Sequence, residues 1–199
     1  VLKPTDEELM ERYQRGDVRA FGSLLERHEV RIYNYFLRTF GKPDVASDLT
    51  QDTFMRIVKG RKKFRRESKF ATWMWRIAHN LSIDTFRRLK FRRHQSLDAP
   101  IRNDSDSSSR LEQTGDPTTI PADGATYGKQ FLASLEDAIP LLDEEQREVF
   151  LLRQMEGLSF QQIADIQNVN VNTVKSRMRY ALLKLREALA KYAPDGGES

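Results

Sequence analysis

Cysteine is absent from this chain of 199 residues, which excludes disulfide staples and thiolate zinc sites. Histidine is scarce: the three present, His28, His79 and His94, lie too far apart in sequence to suggest a local metal cluster. No apolar run approaches the ~20 residues of a membrane span, and no charged and then apolar opening resembles a signal peptide. The chain begins on Val1 rather than methionine, which leaves its native start open. There is no glycine-rich loop to cradle a phosphate, no internal repeat and no useful strand-like alternation. The expectation is a cytoplasmic protein with no metal, cofactor or membrane insertion. Its 39% apolar content suffices for one domain or two small ones.

Charge is patterned. The net charge is +4, yet residues 59–94 hold 13 basic and 2 acidic groups, and residues 170–193 hold 6 and 1. Between them, 95–126 hold 2 basic and 6 acidic groups, and 127–169 hold 3 and 8. Two basic blocks separated by an acidic stretch suit a protein that meets phosphates at two separated places.

The spacing predicts an all-α protein of two small helical domains, over 1–94 and 127–193, joined by a flexible linker over 95–126. Thr5 and Glu8 form a capping box, Asp17 caps the next helix, and apolar residues from Phe21 to Phe36 repeat at helical spacing until Gly41. Pro43 sits at a first-turn position, and the apolar face resumes from Val45 to Val58. His28 lies within an apolar stripe and reads as a packed histidine. From Gln95 to Thr126 the chain is rich in Ser, Asp, Thr and Pro without an apolar period, which reads as a tether. Beyond it come a helix over 127–139, a break at Pro140, and a helix opened by Asp143 and Gln146 and closed near Gly157.

Residues Leu158 to Tyr180 read as a helix-turn-helix. Ser159 and Gln162 supply a capping box, with Ile163 and Ala164 as the buried face. Asn168 tolerates the left-handed turn, and Asn170 caps a second helix with Val171, Val174 and Met178 inside. Asn172, Thr173, Lys175, Ser176, Arg177 and Arg179 are then available to a DNA groove. A helical hairpin with a solvated basic end would carry the same pattern.

The stretch Phe64 to Arg93 interleaves Phe64, Phe70, Trp73 and Trp75 with Arg65, Arg66, Lys69 and Arg76. Rings that stack on bases among cations that meet phosphates are what unpaired DNA requires. With Ser68 as a cap, a helix begins near Phe70, and Phe64 to Thr72 becomes a loop lying against it. Arg76, Asn80, Asp84, Arg87 and Arg88 share one side of that helix; Phe70, Trp73, Met74, Ile77 and Leu81 share the other. Trp73 is assigned to the core and Trp75 to DNA. Upstream, Asp48, Gln51 and Asp52 form an acidic face opposite Leu49 and Phe54. On its own this face is a solvated surface or a candidate metal or acid–base pair, although no third ligand or nucleophile is near in sequence.

Taken together, DLTQDTFMRIVKG, FRRESKFATWMWRIAHNLSIDTFRR and LDEEQREVFLLRQMEGLSFQQIADIQNVNVNTVKSRMRYALLKLREAL, in that order around a linker, resemble a bacterial extracytoplasmic-function (ECF) sigma factor. The resemblance implies a non-enzymatic initiation factor. Its first domain would bind the β′ clamp helices of core RNA polymerase and read the minus-ten element; its second would bind the β flap and read the minus-thirty-five element. By position it implies polymerase contacts at Asp48, Gln51, Asp52 and Phe54. It places the capture of a flipped minus-ten base at Phe64 to Thr72 with Asn80 beside it, and minus-ten contacts at Arg76, Asp84, Arg87 and Arg88. It places minus-thirty-five contacts at Thr173, Lys175, Ser176, Arg177 and Arg179. It also implies a linker running toward the RNA exit path and a cognate anti-sigma factor. The alternatives are a stand-alone helix-turn-helix regulator and a metal enzyme built on Asp48 and Asp52.

Overall fold

The computed structural model describes residues 3–65, 69–97 and 124–190, and all regular structure among them is helical. The first unit contains α1 (Asp6–Gln14), α2 (Val18–Phe40), α3 (Pro43–Gly60) and α4 (Phe70–Leu97). The second contains α5 (Gly124–Ala138), α6 (Glu144–Gln154), α7 (Phe160–Gln167) and α8 (Val171–Leu189). Short 3-10 turns follow α3 at Arg61–Lys63 and α5 at Ile139–Leu141, the latter containing Pro140. Helices α4 and α5 extend three residues into each end of the stretch expected to be linker; the rest of it lies outside the described residues. No helix among the described residues is long and apolar enough to cross a membrane.

Local signals set most boundaries. Thr5 and Glu8 form the reciprocal capping box of α1, and Asp17 accepts from the backbone N–H groups of Arg19 and Ala20 at the start of α2. Gly41 ends α2 with a φ of 67°, a left-handed conformation that costs glycine nothing, and Pro43 opens α3. The expected box of Asp143 and Gln146 does not form. Asp143 stands at the N-cap without a side-chain bond to the helix and instead pairs with Lys184 at 2.7 Å, while Gln146 Oε1 is buried without a protein partner. A nearby cation has outcompeted the backbone for this carboxylate.

The first core gathers Leu9, Met10, Leu24, Ile32, Phe36, Ile57, Phe70 and Met74, and the second Leu151, Leu152, Ile163, Val174 and Ala181. His28 is packed as expected: its ring lies against Phe70 and its Nε2 sits 2.7 Å from Asp6 Oδ2. Hydrogen bonding to His28 holds the Asp6 carboxyl below its ordinary value, against an opposing desolvation and with help from Arg27. The folded pKa is therefore depressed. The stabilisation is present above the ordinary value of 3.8 and fades as pH falls through the lower folded value. Asp6→Asn is expected to lower Tm at neutral pH, with the gap from wild type closing under acid conditions; thermal melts across a pH series check this.

The two units pack directly. Helix α4 lies along α7, and α2 along α6 and the turn containing Pro140. Helix α4 thus has protein on two sides: Phe70, Met74 and Leu81 enter the first core, while buried His79 bonds Glu148 of the second unit and buried Ser82 bonds Tyr35 of α2.

Candidate nucleic-acid interface

The helix-turn-helix is built as its residues predict. Ser159 and Gln162 exchange capping bonds, Asn168 takes the left-handed conformation with a φ of 52°, and Asn170 accepts from Asn172 N–H to start α8. Val174, Met178, Ala181 and Leu185 fix the buried side of α8, so Asn172, Thr173, Lys175, Ser176 and Arg179 face outward. Arg177 is a correction. It is half-buried, its Nη1 donates to Gln167 Oε1 at 2.9 Å, and it pairs with Glu145. Periodicity placed it on the outer face, but two side chains of its own unit hold it.

On α4 the polar face is confirmed: Arg76, Asn80, Asp84, Arg87 and Arg88 are exposed. Arg76 nevertheless donates to the carbonyl of Asp165 at 2.8 Å, near the C-terminal end of α7, where carbonyl dipoles favour a cation. Arg88 bonds Thr85 Oγ1 at 3.0 Å, and Asp84 lies 3.9 Å from Arg56.

The aromatic residues require several corrections. Trp75, assigned to DNA, is only 1% exposed and packs edge-to-face on Tyr35 with centroids 5.1 Å apart. Trp73, assigned to the core, does pack against it but keeps part of its ring exposed, and a Cβ on Gly60 would stand 3.3 Å from its Cζ2. Trp75 turns toward α2, whose Tyr35 covers its ring, so a helix distant in sequence takes the side of α4 that was assigned to DNA. Phe64 and Phe70 are also core residues, at 4% and 0% exposure, so neither ring offers a free face for a base. The three rings Phe64, Phe70 and Trp73 form one cluster with centroids 5.4 to 6.2 Å apart, of which Trp73 is the accessible member.

Phe70 to Thr72 belong to α4 rather than to the preceding loop. The described part of that loop is tied down by Gln14, whose Nε2 donates to the carbonyls of Arg61 and Phe64 at 2.6 and 2.9 Å. Glu7 accepts from Phe70 N–H at 3.0 Å and so caps α4 from α1. Arg65 and Lys69 are exposed, and Thr72 is half-buried; Arg66 and the Ser68 cap lie outside the described residues.

On α3, Asp48, Gln51 and Asp52 are exposed along one side, while Leu49 and Phe54 are buried. Gln51 and Phe54 join Phe21, Leu25 and Met55 in lining a largely apolar cleft of about 560 Å³ between α2 and α3. Among the described residues, no group of three or more His, Asp or Glu side chains could hold a metal.

Sequence reasoning missed the polar joint between the units. Glu148 on α6, 9% exposed, receives Tyr35 Oη at 2.9 Å, His79 Nδ1 at 2.7 Å and Gln167 Nε2 at 2.7 Å. Burial, then the neighbouring Glu148 charge, push the Tyr35 phenol well above its usual range, so it remains a donor. Arg147 donates to the Thr39 carbonyl at 2.6 Å, Arg38 pairs with Glu136 at 3.0 Å, and Arg31 with Glu156 at 2.6 Å. The available signal was Gln167 itself, a polar residue at an inward position of the helix-turn-helix.

Residues 24–92 match the family model described as Sigma-70 region 2, and residues 132–185 match Sigma-70, region 4. Two such regions, in this order on two helical units, define a sigma factor of the sigma-70 class. The chain belongs to its extracytoplasmic-function family. It is 30% identical over 176 residues to the ECF RNA polymerase sigma-E factor of Haemophilus influenzae, covering 87% of this chain and 89% of that protein. It is also 30% identical over 182 residues to the ECF RNA polymerase sigma factor SigW of Bacillus subtilis, covering 92% and 93%. Among solved structures, the sigma factor RpoE in complex with the anti-sigma factor NepR from Bartonella quintana shares the fold, with a TM-score of 0.66, 24% identity and coverage of 85% and 96%. CnrH in complex with the cytosolic domain of CnrY gives a TM-score of 0.65 at 25% identity, with coverage of 95% and 99%. As an ECF sigma factor the chain binds RNA polymerase and directs transcription, and it is not an enzyme. The helix-turn-helix is thus one half of an initiation factor, which removes the stand-alone regulator, and Asp48 and Asp52 are not a catalytic pair.

Proposed function

We propose that the chain divides into a polymerase-binding and minus-ten module over 1–94, a tether over 95–126 and a minus-thirty-five module over 127–193, working in the cytoplasm. The acidic side of α3, Asp48, Gln51 and Asp52, meets the β′ clamp helices of core polymerase, with Phe54 shaping the adjoining apolar cleft. The second module also engages the β flap. On promoter DNA, Arg76, Asn80, Asp84, Arg87 and Arg88 of α4 line the minus-ten strand, with Arg65, Arg66, Lys69 and Thr72 at the preceding loop. Trp73 replaces Trp75 as the ring available to a base, and Phe64 and Phe70 support it from below. On α8, Asn172, Thr173, Lys175, Ser176 and Arg179 read the minus-thirty-five groove, with Arg177 joining once released. An anti-sigma factor is the expected regulator; two structural relatives were solved with bound partners, one of them named as an anti-sigma factor.

The observation that carries this reading is the separation of signs on exposed faces: carboxylates on α3, guanidinium and ammonium groups on α4 and α8. An acidic face suits a protein surface and repels DNA, whereas the basic faces gain affinity by releasing counterions from phosphates. The double variant Asp48→Ala, Asp52→Ala is expected to weaken core polymerase binding by about tenfold or more, with the helical content intact. Titration of labelled core enzyme, alongside circular dichroism, measures both; unchanged affinity in a folded variant would remove this face from the polymerase interface.

A further inference from the structure

We propose that α1 sets the position of Trp73, the ring assigned to an unstacked base, with Glu7 and Gln14 as its positioning residues. This rests on that assignment of Trp73. Glu7 and Gln14 are two helical turns apart, so their side chains leave one face of α1 about 10 Å from each other. Each grips backbone that lies far away in sequence. Gln14 Nε2 donates to the carbonyls of Arg61 and Phe64 at 2.6 and 2.9 Å, and Glu7 Oε1 accepts from Phe70 N–H at 3.0 Å. The chain is thereby pinned at Phe64 and at Phe70. These are the residues whose rings meet Trp73, with centroids 5.4 and 6.2 Å from its own.

The holder is itself fixed. Leu9 and Met10 are buried in the first core, Thr5 and Glu8 cap the helix, and Asp6 bonds Arg27 and His28 of α2. Tyr13 stacks on Phe21 of α2, and the Arg61 guanidinium lies 5.4 Å from the centroid of the Tyr13 ring. Helix α1 lies outside the stretch matched to region 2, so this grip belongs to residues beyond that match. Nor does the backbone require it. The Arg61 carbonyl already accepts from Phe64 N–H at 3.3 Å, and a first-turn donor such as Phe70 N–H is ordinarily satisfied by water or a local cap. The bonds from α1 therefore supply position. A ring held in place before the base arrives loses less freedom on binding it, which favours the open complex.

Trp73 and Trp75 are the two tryptophans of the chain, so fluorotryptophan labelling of the full-length protein gives one fluorine NMR resonance for each, assigned with Trp73→Phe. Buried Trp75 reports the state of the core. Gln14→Met keeps the length and apolar stem of the side chain but cannot donate; Glu7→Ala removes the acceptor, and Glu7→Gln retains one. Gln14→Met and Glu7→Ala are each expected to shift or broaden the Trp73 resonance while that of Trp75 stays in place. With core polymerase on a duplex promoter, both should lower open-complex yield by about tenfold, read by permanganate, and leave closed-complex formation unchanged. Glu7→Gln should restore the Trp73 resonance and the opening together.

An unmoved Trp73 resonance in both folded variants overturns the proposal. So does an equal movement of both resonances, which would make α1 a prop for the whole core. A displaced Trp73 with normal opening overturns it too, and Trp73→Ala then separates the two claims. Impaired opening in that variant keeps the ring in the base pocket without need of α1, whereas normal opening removes Trp73 from the pocket and the underlying assignment with it. If Gln14→Met fails to fold, the comparison of Glu7→Ala with Glu7→Gln decides.

Discussion

Trp75→Ala is expected to destabilise the protein by about 3–5 kcal/mol, the range for deleting a large aromatic side chain from a core that cannot collapse around the space. Trp75 is 1% exposed, and its ring packs on Tyr35, which in turn holds Glu148. The loss should therefore appear in urea or thermal unfolding of the free protein, before any DNA is added. Trp73→Ala makes the contrast. Its ring is only partly buried, so stability should fall by less while promoter opening suffers more. If Trp75→Ala melts like wild type and fails only at the promoter, the buried placement is wrong and the original division of the two rings is restored.

The two tryptophans show where the sequence was legible and where it was not. Elements set by neighbours in the chain could be read directly: the capping boxes at Thr5 and Ser159, the glycine stop at Gly41, the proline start at Pro43 and the left-handed Asn168 all depend on residues within one turn. The outward faces of α3, α4 and most of α8 were legible for the same reason, since one buried side fixes its opposite. Errors cluster where a distant segment supplies the partner. Trp75 faces Tyr35 of α2, Arg177 is held by Gln167 and Glu145, and Asp143 is drawn away from its cap by Lys184. Helical periodicity identifies a second apolar or polar side but cannot say whether water, DNA or another helix will cover it. For α4, which carries buried residues toward two units, that ambiguity decided the assignment of a proposed functional residue.

Asn80→Ala is expected to leave closed-complex formation nearly normal and to reduce open-complex formation by about five- to a hundredfold, the equivalent of losing roughly 1–3 kcal/mol of contact with an unstacked base. Asn80 is exposed on α4 one turn beyond Arg76, so its truncation removes no core packing and should change stability by less than about 0.5 kcal/mol. In the proposed reading, locating duplex DNA depends on cationic contacts and on α8, neither of which this substitution touches. Opening differs because a base must leave its stack at a cost of a few kcal/mol, and only contacts made after it has left can offset that cost. Phe64 and Phe70 are too deeply buried to supply those contacts directly, so the proposed reading assigns them to Asn80, Thr72 and the accessible edge of Trp73. A template with a pre-melted bubble removes the cost of opening but not the missing contact, so rescue should be partial. Permanganate reactivity of unpaired thymines, measured at limiting protein, distinguishes the outcomes: a normal footprint removes Asn80 from the pocket, while weakened polymerase binding would assign it a structural role instead.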